Sequence, residues 1–132
     1  MRVYLCRHAE AAPGEPDDLR ELTDEGRRQA RALGVRLAGL AEPPATVLAS
    51  PLLRARQTAE AIAAETGATL RVEPALAPGA TADALRDAVA AASAPVAAVG
   101  HQPDCSEILL ALRGEDPGFP PAGWAQLELS AD

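Results

Sequence analysis

The sequence predicts a single three-layer α/β domain: a mainly parallel central sheet with helices on both faces and a C-terminal antiparallel edge strand. Three observations predict it. Short apolar or β-branched runs at 3–6, 46–49, 69–72 and 96–99 alternate with stretches of helical periodicity. Hydrophobic residues make up 48% of the chain but aromatics only 2%, so the core must be built from Ala, Leu, Val and Ile on closely packed elements. The 132 residues suit one domain with a real core, and no repeat, linker or low-complexity segment divides them.

Each element has its own warrant. Val3–Cys6 is an apolar run that stops abruptly at Arg7-His8, with no turn residue between. The first helix is predicted from Thr23 as cap, Asp24 and Glu25 at its positive end, and Gly26, Ala30, Leu33, Leu37 and Leu40 at helical spacing. Arg27, Arg28, Arg31 and Arg36 then fall mostly outward. Thr46–Ala49 reads as the second strand, and Ser50-Pro51 as cap and first turn of a helix running to about Thr66-Gly67. Thr69–Val72 is the third strand. Helices follow near Thr81–Ala92 and Pro103–Leu112, on either side of the fourth strand, Val96–Val99. After a Gly/Pro-rich loop at 114–123, Ala125, Leu127 and Leu129 share one face of an edge strand predicted to run antiparallel.

Composition excludes several classes of function. All 12 basic residues are arginine and the formal net charge is −7, which argues against a general nucleic-acid or membrane surface. An anion would have to be held by a few arginines gathered locally. Two cysteines make no disulfide framework, and the N-terminal apolar run is too short for a signal peptide, so a cytoplasmic protein is expected. The apolar stretch at 88–100 carries Ser93 and Pro95 and is too short to span a bilayer.

The unusual residues fall together on this skeleton. Arg7-His8 ends the first strand, Arg54 lies in the turn-to-helix segment after the second, and His101 ends the fourth. In open α/β sheets ligands bind in the crevice beyond the carboxyl ends of parallel strands. Neighbours within a strand point to opposite faces, so Arg7 and His8 can share a pocket only if the strand ends there. Arg56, two positions beyond Arg54, is turned about 200° away and is expected to be solvated, within reach of Glu60.

With these residues in place, the sequence resembles the histidine phosphatase (phosphoglycerate mutase-like) superfamily, and within it the small SixA-type phosphohistidine phosphatase branch. The blocks that carry the resemblance are RHAEA at 7–11, LTDEGRRQA at 22–30, ASPLLRARQTAE at 49–60, VGHQP at 99–103 and PPAGWAQLEL at 120–129. The resemblance implies that residues 1–132 form one histidine phosphatase domain, that His8 is the nucleophile, and that Arg7, Arg54 and His101 are catalytic and hold the phosphoryl group. Arg20, before the LT block, matches an arginine of that branch and is a further phosphate-binding candidate. The implied enzyme hydrolyses phosphohistidine on a signalling or phosphocarrier protein through a covalent phosphohistidine intermediate. A histidine nucleophile must be neutral, and nearby guanidiniums disfavour imidazolium while binding phosphoryl oxygens in fork geometry.

One departure from the larger family members matters. They carry a glutamate general acid after the third strand and an inserted cap. Here the segment from Pro74 to Thr81 has no carboxylate, and 132 residues leave little room for a cap. Glu10, Asp17 and Asp18 are the candidate acids by proximity to Arg7-His8. A metal site built from Cys6, His8, His101 and Cys105 is disfavoured by the arginines crowding the same edge, so a metal-independent enzyme with no cofactor is expected. The alternatives are a small-molecule phosphomonoesterase acting on a small phosphorylated substrate and, more distantly, a non-catalytic phosphoprotein-binding module. No nucleic-acid or membrane partner and a monomeric state are expected.

Overall fold

The computed structural model describes residues 1–130. Five strands form one mixed sheet: β1 (Arg2–Arg7), β2 (Thr46–Ala49), β3 (Thr69–Val72), β4 (Val96–Gly100) and β5 (Trp124–Glu128). Their order across the sheet is β3-β2-β4-β1-β5, with β1, β2, β3 and β4 parallel and β5 antiparallel to β1 at the edge. Four helices complete the fold: α1 (Asp24–Ala38), α2 (Leu53–Thr66), α3 (Ala82–Ala90) and α4 (Asp104–Arg113). Two short 3₁₀ turns, Asp17–Leu19 and Pro74–Leu76, lie in the connections.

Side-chain alternation along the strands divides the core into two halves. Val3, Leu5, Leu48, Val96 and Ala98 point to one face and pack with Leu85 and Val89 of α3 and Ile108 and Leu109 of α4. Tyr4, Cys6, Val47, Ala49, Ala97 and Val99 point to the other and pack with Leu33 and Leu37 of α1 and Ala55, Ala59 and Ile62 of α2. Because β1, β2 and β4 are covered on both faces, their residues are apolar without alternation, which is why they read as continuous runs. Small residues let the helices approach closely: a Cβ at Gly34 of α1 would meet the carbonyl of Ala61 on α2 at 2.9 Å. Among the described residues no helix is long and apolar enough to cross a membrane.

The predicted elements match the observed ones with instructive shifts at their ends. Thr23 and Thr81 cap α1 and α3, accepting from the N–H of Gly26 and Ala84. Ser50 does not cap α2. Leu52 stays extended at φ −69° and ψ 140°, and the helix begins at Leu53. The serine hydroxyl is used elsewhere, as described below. Arg56 is half-buried and donates to the Pro51 carbonyl at 3.1 Å, closing the turn before α2, where a solvated partner of Glu60 was expected.

Candidate active site

The carboxyl ends of β1 and β4 are stapled together by backbone bonds. The His8 N–H donates to the Gly100 carbonyl at 3.0 Å, and the Arg7 N–H donates to that of Gly123 at 2.9 Å. The Ala122 N–H in turn donates to the His8 carbonyl at 3.1 Å. Strand β1 ends at Arg7, so the chain turns where the two side chains need it to. His101 follows Gly100 directly, and its ring lies 5.3 Å from that of His8, tilted by 58°. Arg54, second residue of α2, is only 8% exposed at its side chain. Three connections thus deliver His8, Arg54 and His101 to one edge of the sheet.

Local bonds then orient each group. Arg7 Nη1 donates to the Phe119 carbonyl at 2.9 Å, and Arg54 Nη1 to the Asp17 carbonyl at 2.8 Å. Thr58, one turn along α2 from Arg54, accepts from the Ala9 N–H at 3.0 Å and donates to the Arg54 carbonyl at 2.8 Å. It ties the residue after the histidine to the helix that carries the arginine. Closer to the α1 start, a Cβ at Gly26 would fall 2.0 Å from the Glu10 carbonyl oxygen, so only glycine lets α1 pack against this loop.

The imidazole of His8 is held neutral with one ring nitrogen free. Its Nδ1 lies 2.7 Å from the Ala9 carbonyl, which can only accept, so Nδ1 carries the proton and Nε2 presents its lone pair. Burial pushes its pKa down to about 4, and the charges of Arg54, Arg7 and Arg20 push the same way against the Ala9 bond. The guanidiniums alone were expected to keep it neutral; desolvation is the larger cause. His101 is likewise lowered to about 4, by burial first, then by His8 and Arg54.

Four buried side-chain nitrogens among the described residues have no hydrogen-bond partner, and three of them belong to this group: Arg7 Nε, Arg54 Nε and His101 Nδ1. The fourth, Arg86 Nε, is on α3. Unpaired buried polar atoms are rare, so three in one cluster around a free imidazole nitrogen point to a ligand with several acceptors. A tetrahedral oxyanion is the simplest.

The three flanking carboxylates stand in different surroundings. Asp17 accepts from Arg20 at 3.0 Å and pairs with Arg54 Nη2 at 3.3 Å, and these arginines hold its carboxyl below the usual range. It is an anion at neutral pH, which removes it as a proton donor. Glu10 accepts from the Thr23 hydroxyl at 2.8 Å over the start of α1, which places it in helix capping. Asp18 is exposed on the Asp17–Leu19 turn. Arg20 also donates to the Ala12 carbonyl at 2.9 Å, so it stands beside the cluster with two protein partners already. After β3, the Gly79 and Ala80 N–H groups donate to the buried Asp104 carboxylate at 2.8 and 3.1 Å, which clips residues 77–81 short. The cysteines are buried free thiols: burial raises Cys6 far above the ordinary range and Cys105 to about 12.

Four contributors escaped the sequence reading. Thr58 had a signal, standing four residues after Arg54 on the same helix. Ser50 has one too, but before Pro51 the signal points to a helix cap. Phe119 acts through its carbonyl and Asp104 through backbone N–H groups, neither of which a side-chain pattern reveals.

Comparison with known proteins bears on this geometry. Residues 3–81 match the model of the histidine phosphatase superfamily, branch 1. An uncharacterised protein of Picosynechococcus sp. is 41% identical over 115 residues, spanning 81% of this chain and 70% of that one. The crystal structure of SixA from Agrobacterium tumefaciens superposes with a TM-score of 0.83 at 32% identity, covering 98% of this chain and 92% of the other. The protein histidine phosphatase SixA complexed with tungstate gives 0.87 at 29% identity, covering 99% and 90%. Tungstate is itself a tetrahedral oxyanion.

Proposed function

The chain belongs to the histidine phosphatase superfamily, branch 1, and from that premise we propose that it hydrolyses phosphohistidine carried on a protein, through a phosphoryl intermediate on His8. The observation that carries the proposal is the neutral His8 with Nε2 free, set beside three unpartnered nitrogens on Arg7, Arg54 and His101.

In the forward step the Nε2 lone pair attacks phosphorus in line as the bond to the leaving group breaks. Arg7, Arg54 and His101 donate to the equatorial oxygens. Phosphoryl transfer asks little more of a protein than such positioning and charge stabilisation. The Nδ1 proton, kept on the Ala9 carbonyl, stays on the ring, so phosphorylated His8 is a protonated phosphoimidazole. That form releases its phosphoryl group readily to water, regenerating neutral His8 and inorganic phosphate.

The choice of substrate rests on the leaving group. An alkyl ester expels an alkoxide and needs a proton donor during bond breaking. Asp17 is ionised, Glu10 is bound to Thr23, Asp18 is exposed on the 17–19 turn, and no carboxylate lies between Pro74 and Thr81. A phosphohistidine expels an imidazole that already carries its proton and departs neutral. The connection from β3 to α3 is short and carries no inserted cap, which suits access by a histidine projecting from a protein surface. The arginines supply the charge a metal would otherwise provide, and the two buried free thiols suit a reducing cytoplasm.

Specificity constants for a phosphohistidine-bearing phosphocarrier protein, an aryl phosphate and an alkyl phosphate test the proposal. They are expected to fall in that order. Faster hydrolysis of simple sugar phosphates would overturn it in favour of a small-molecule phosphomonoesterase.

A further inference from the structure

Ser50 is fully buried at the end of β2, and its Oγ lies 2.7 Å from His101 Nε2. The same oxygen accepts from the Leu52 N–H at 3.3 Å. A hydroxyl has one proton to give. Two assignments are open to the pair. If Nε2 carries the imidazole proton and donates to Ser50, the hydroxyl proton is left in a buried site with no acceptor. The bare Nδ1 lone pair of His101, in a ring beside His8 and Arg54, would then offer an oxyanion no donor and repel it. If Ser50 donates to Nε2, every group in the chain is used: Leu52 N–H to Oγ, Oγ–H to Nε2, and an N–H on Nδ1. That Nδ1 is the buried nitrogen without a partner inside the protein.

Resting on the reading of the site as a phosphoryl centre, we infer that Ser50 is a positioning residue that holds His101 as the Nδ1–H tautomer, a neutral hydrogen-bond donor aimed at the phosphoryl oxygens. His101 stays uncharged through burial and through His8 beside it, so its contribution depends on which nitrogen holds the proton. This gives Ser50 a role that its place before Pro51 does not suggest. It also explains why the α2 N-terminus goes without a side-chain cap: the hydroxyl is turned back toward the sheet edge.

The test reads the tautomer directly. In protein labelled with ¹⁵N-histidine, two-bond ¹H–¹⁵N spectra at pH 7 distinguish a protonated from a bare ring nitrogen. With His8 donating to Ala9 and His101 accepting from Ser50, both histidines of the native protein are expected as Nδ1–H, opposite to the usual preference of free imidazole. A His8→Asn spectrum assigns the two rings. In Ser50→Ala, His101 should shift toward Nε2–H while His8 keeps its form, and kcat should fall by less than the roughly 10²–10³-fold expected for deleting an oxyanion donor outright. Nε2–H on His101 in the native protein, or Nδ1–H unchanged in Ser50→Ala, would overturn the inference. The native spectrum decides even if the variant does not fold. Because the tautomer is read without substrate, its outcome is separate from whether phosphohistidine proves to be the substrate.

Discussion

The two histidines titrate far from where exposed imidazoles do, and the consequence can be measured. Each has an ordinary pKa of 6.5 that folding lowers to about 4. Between those values the unfolded chain binds more protons than the native one, so stability rises with pH across that window and is lost as pH falls through it. Asp17 acts in a lower window: its folded carboxyl is depressed, so its contribution is present above about 3.8 and lost below. Urea unfolding at pH 7, 6 and 5 should therefore show declining stability before most carboxylates protonate, and His101→Gln, which cannot charge, should decline less steeply. Equal slopes would mean that His101 titrates normally. At this scale the sequence was informative about identity and uninformative about state. His8, Arg7, Arg54 and His101 stand out as unusual residues at strand ends. That burial outranks the guanidiniums, or that Ala9 holds Nδ1, depends on backbone positions no pattern encodes.

At the scale of elements, the site depends on how two connections end. Helix α2 starts late enough to leave Ser50 free, and the Asp17–Leu19 turn lies against its first residues, with the Asp17 carbonyl on Arg54 Nη1 and its carboxylate on Nη2. The turn therefore both aims the guanidinium and partly neutralises it. Asp17→Asn removes the charge while the backbone carbonyl keeps its hold, so vanadate should inhibit this variant at lower concentration than it does the native protein. Weaker inhibition would show that the carboxylate serves chiefly to orient Arg54. Helix and strand centres were legible here because α1 carries buried residues at helical spacing and β2 and β3 are bounded by Ser50 and Gly67. The start of α2 was not legible. Ser-Pro is the ordinary signature of a helix N-terminus, and only a tertiary partner, His101, tells it apart.

The whole molecule is a sheet whose parallel strands bring the candidate site residues to one end. Strand order β3-β2-β4-β1-β5 sets β4 between β1 and β2, so the connections carrying His8, His101 and Ser50 are adjacent in space although they are distant in sequence. That adjacency was foreseen from the α/β alternation and from the placement of both histidines. The loop at 114–123 was foreseen only as a connection, yet it supplies Phe119 to Arg7 and Gly123 to the β1 end. On the proposed reading, everything at this edge serves to make His8 Nε2 the phosphoryl acceptor. Rapid-quench trapping with a ³²P-labelled phosphohistidine protein, followed by peptide mapping, tests it most directly. Acid-labile, base-stable label is expected on His8 and should disappear in His8→Ala. Label on His101, or label that survives acid, would contradict it.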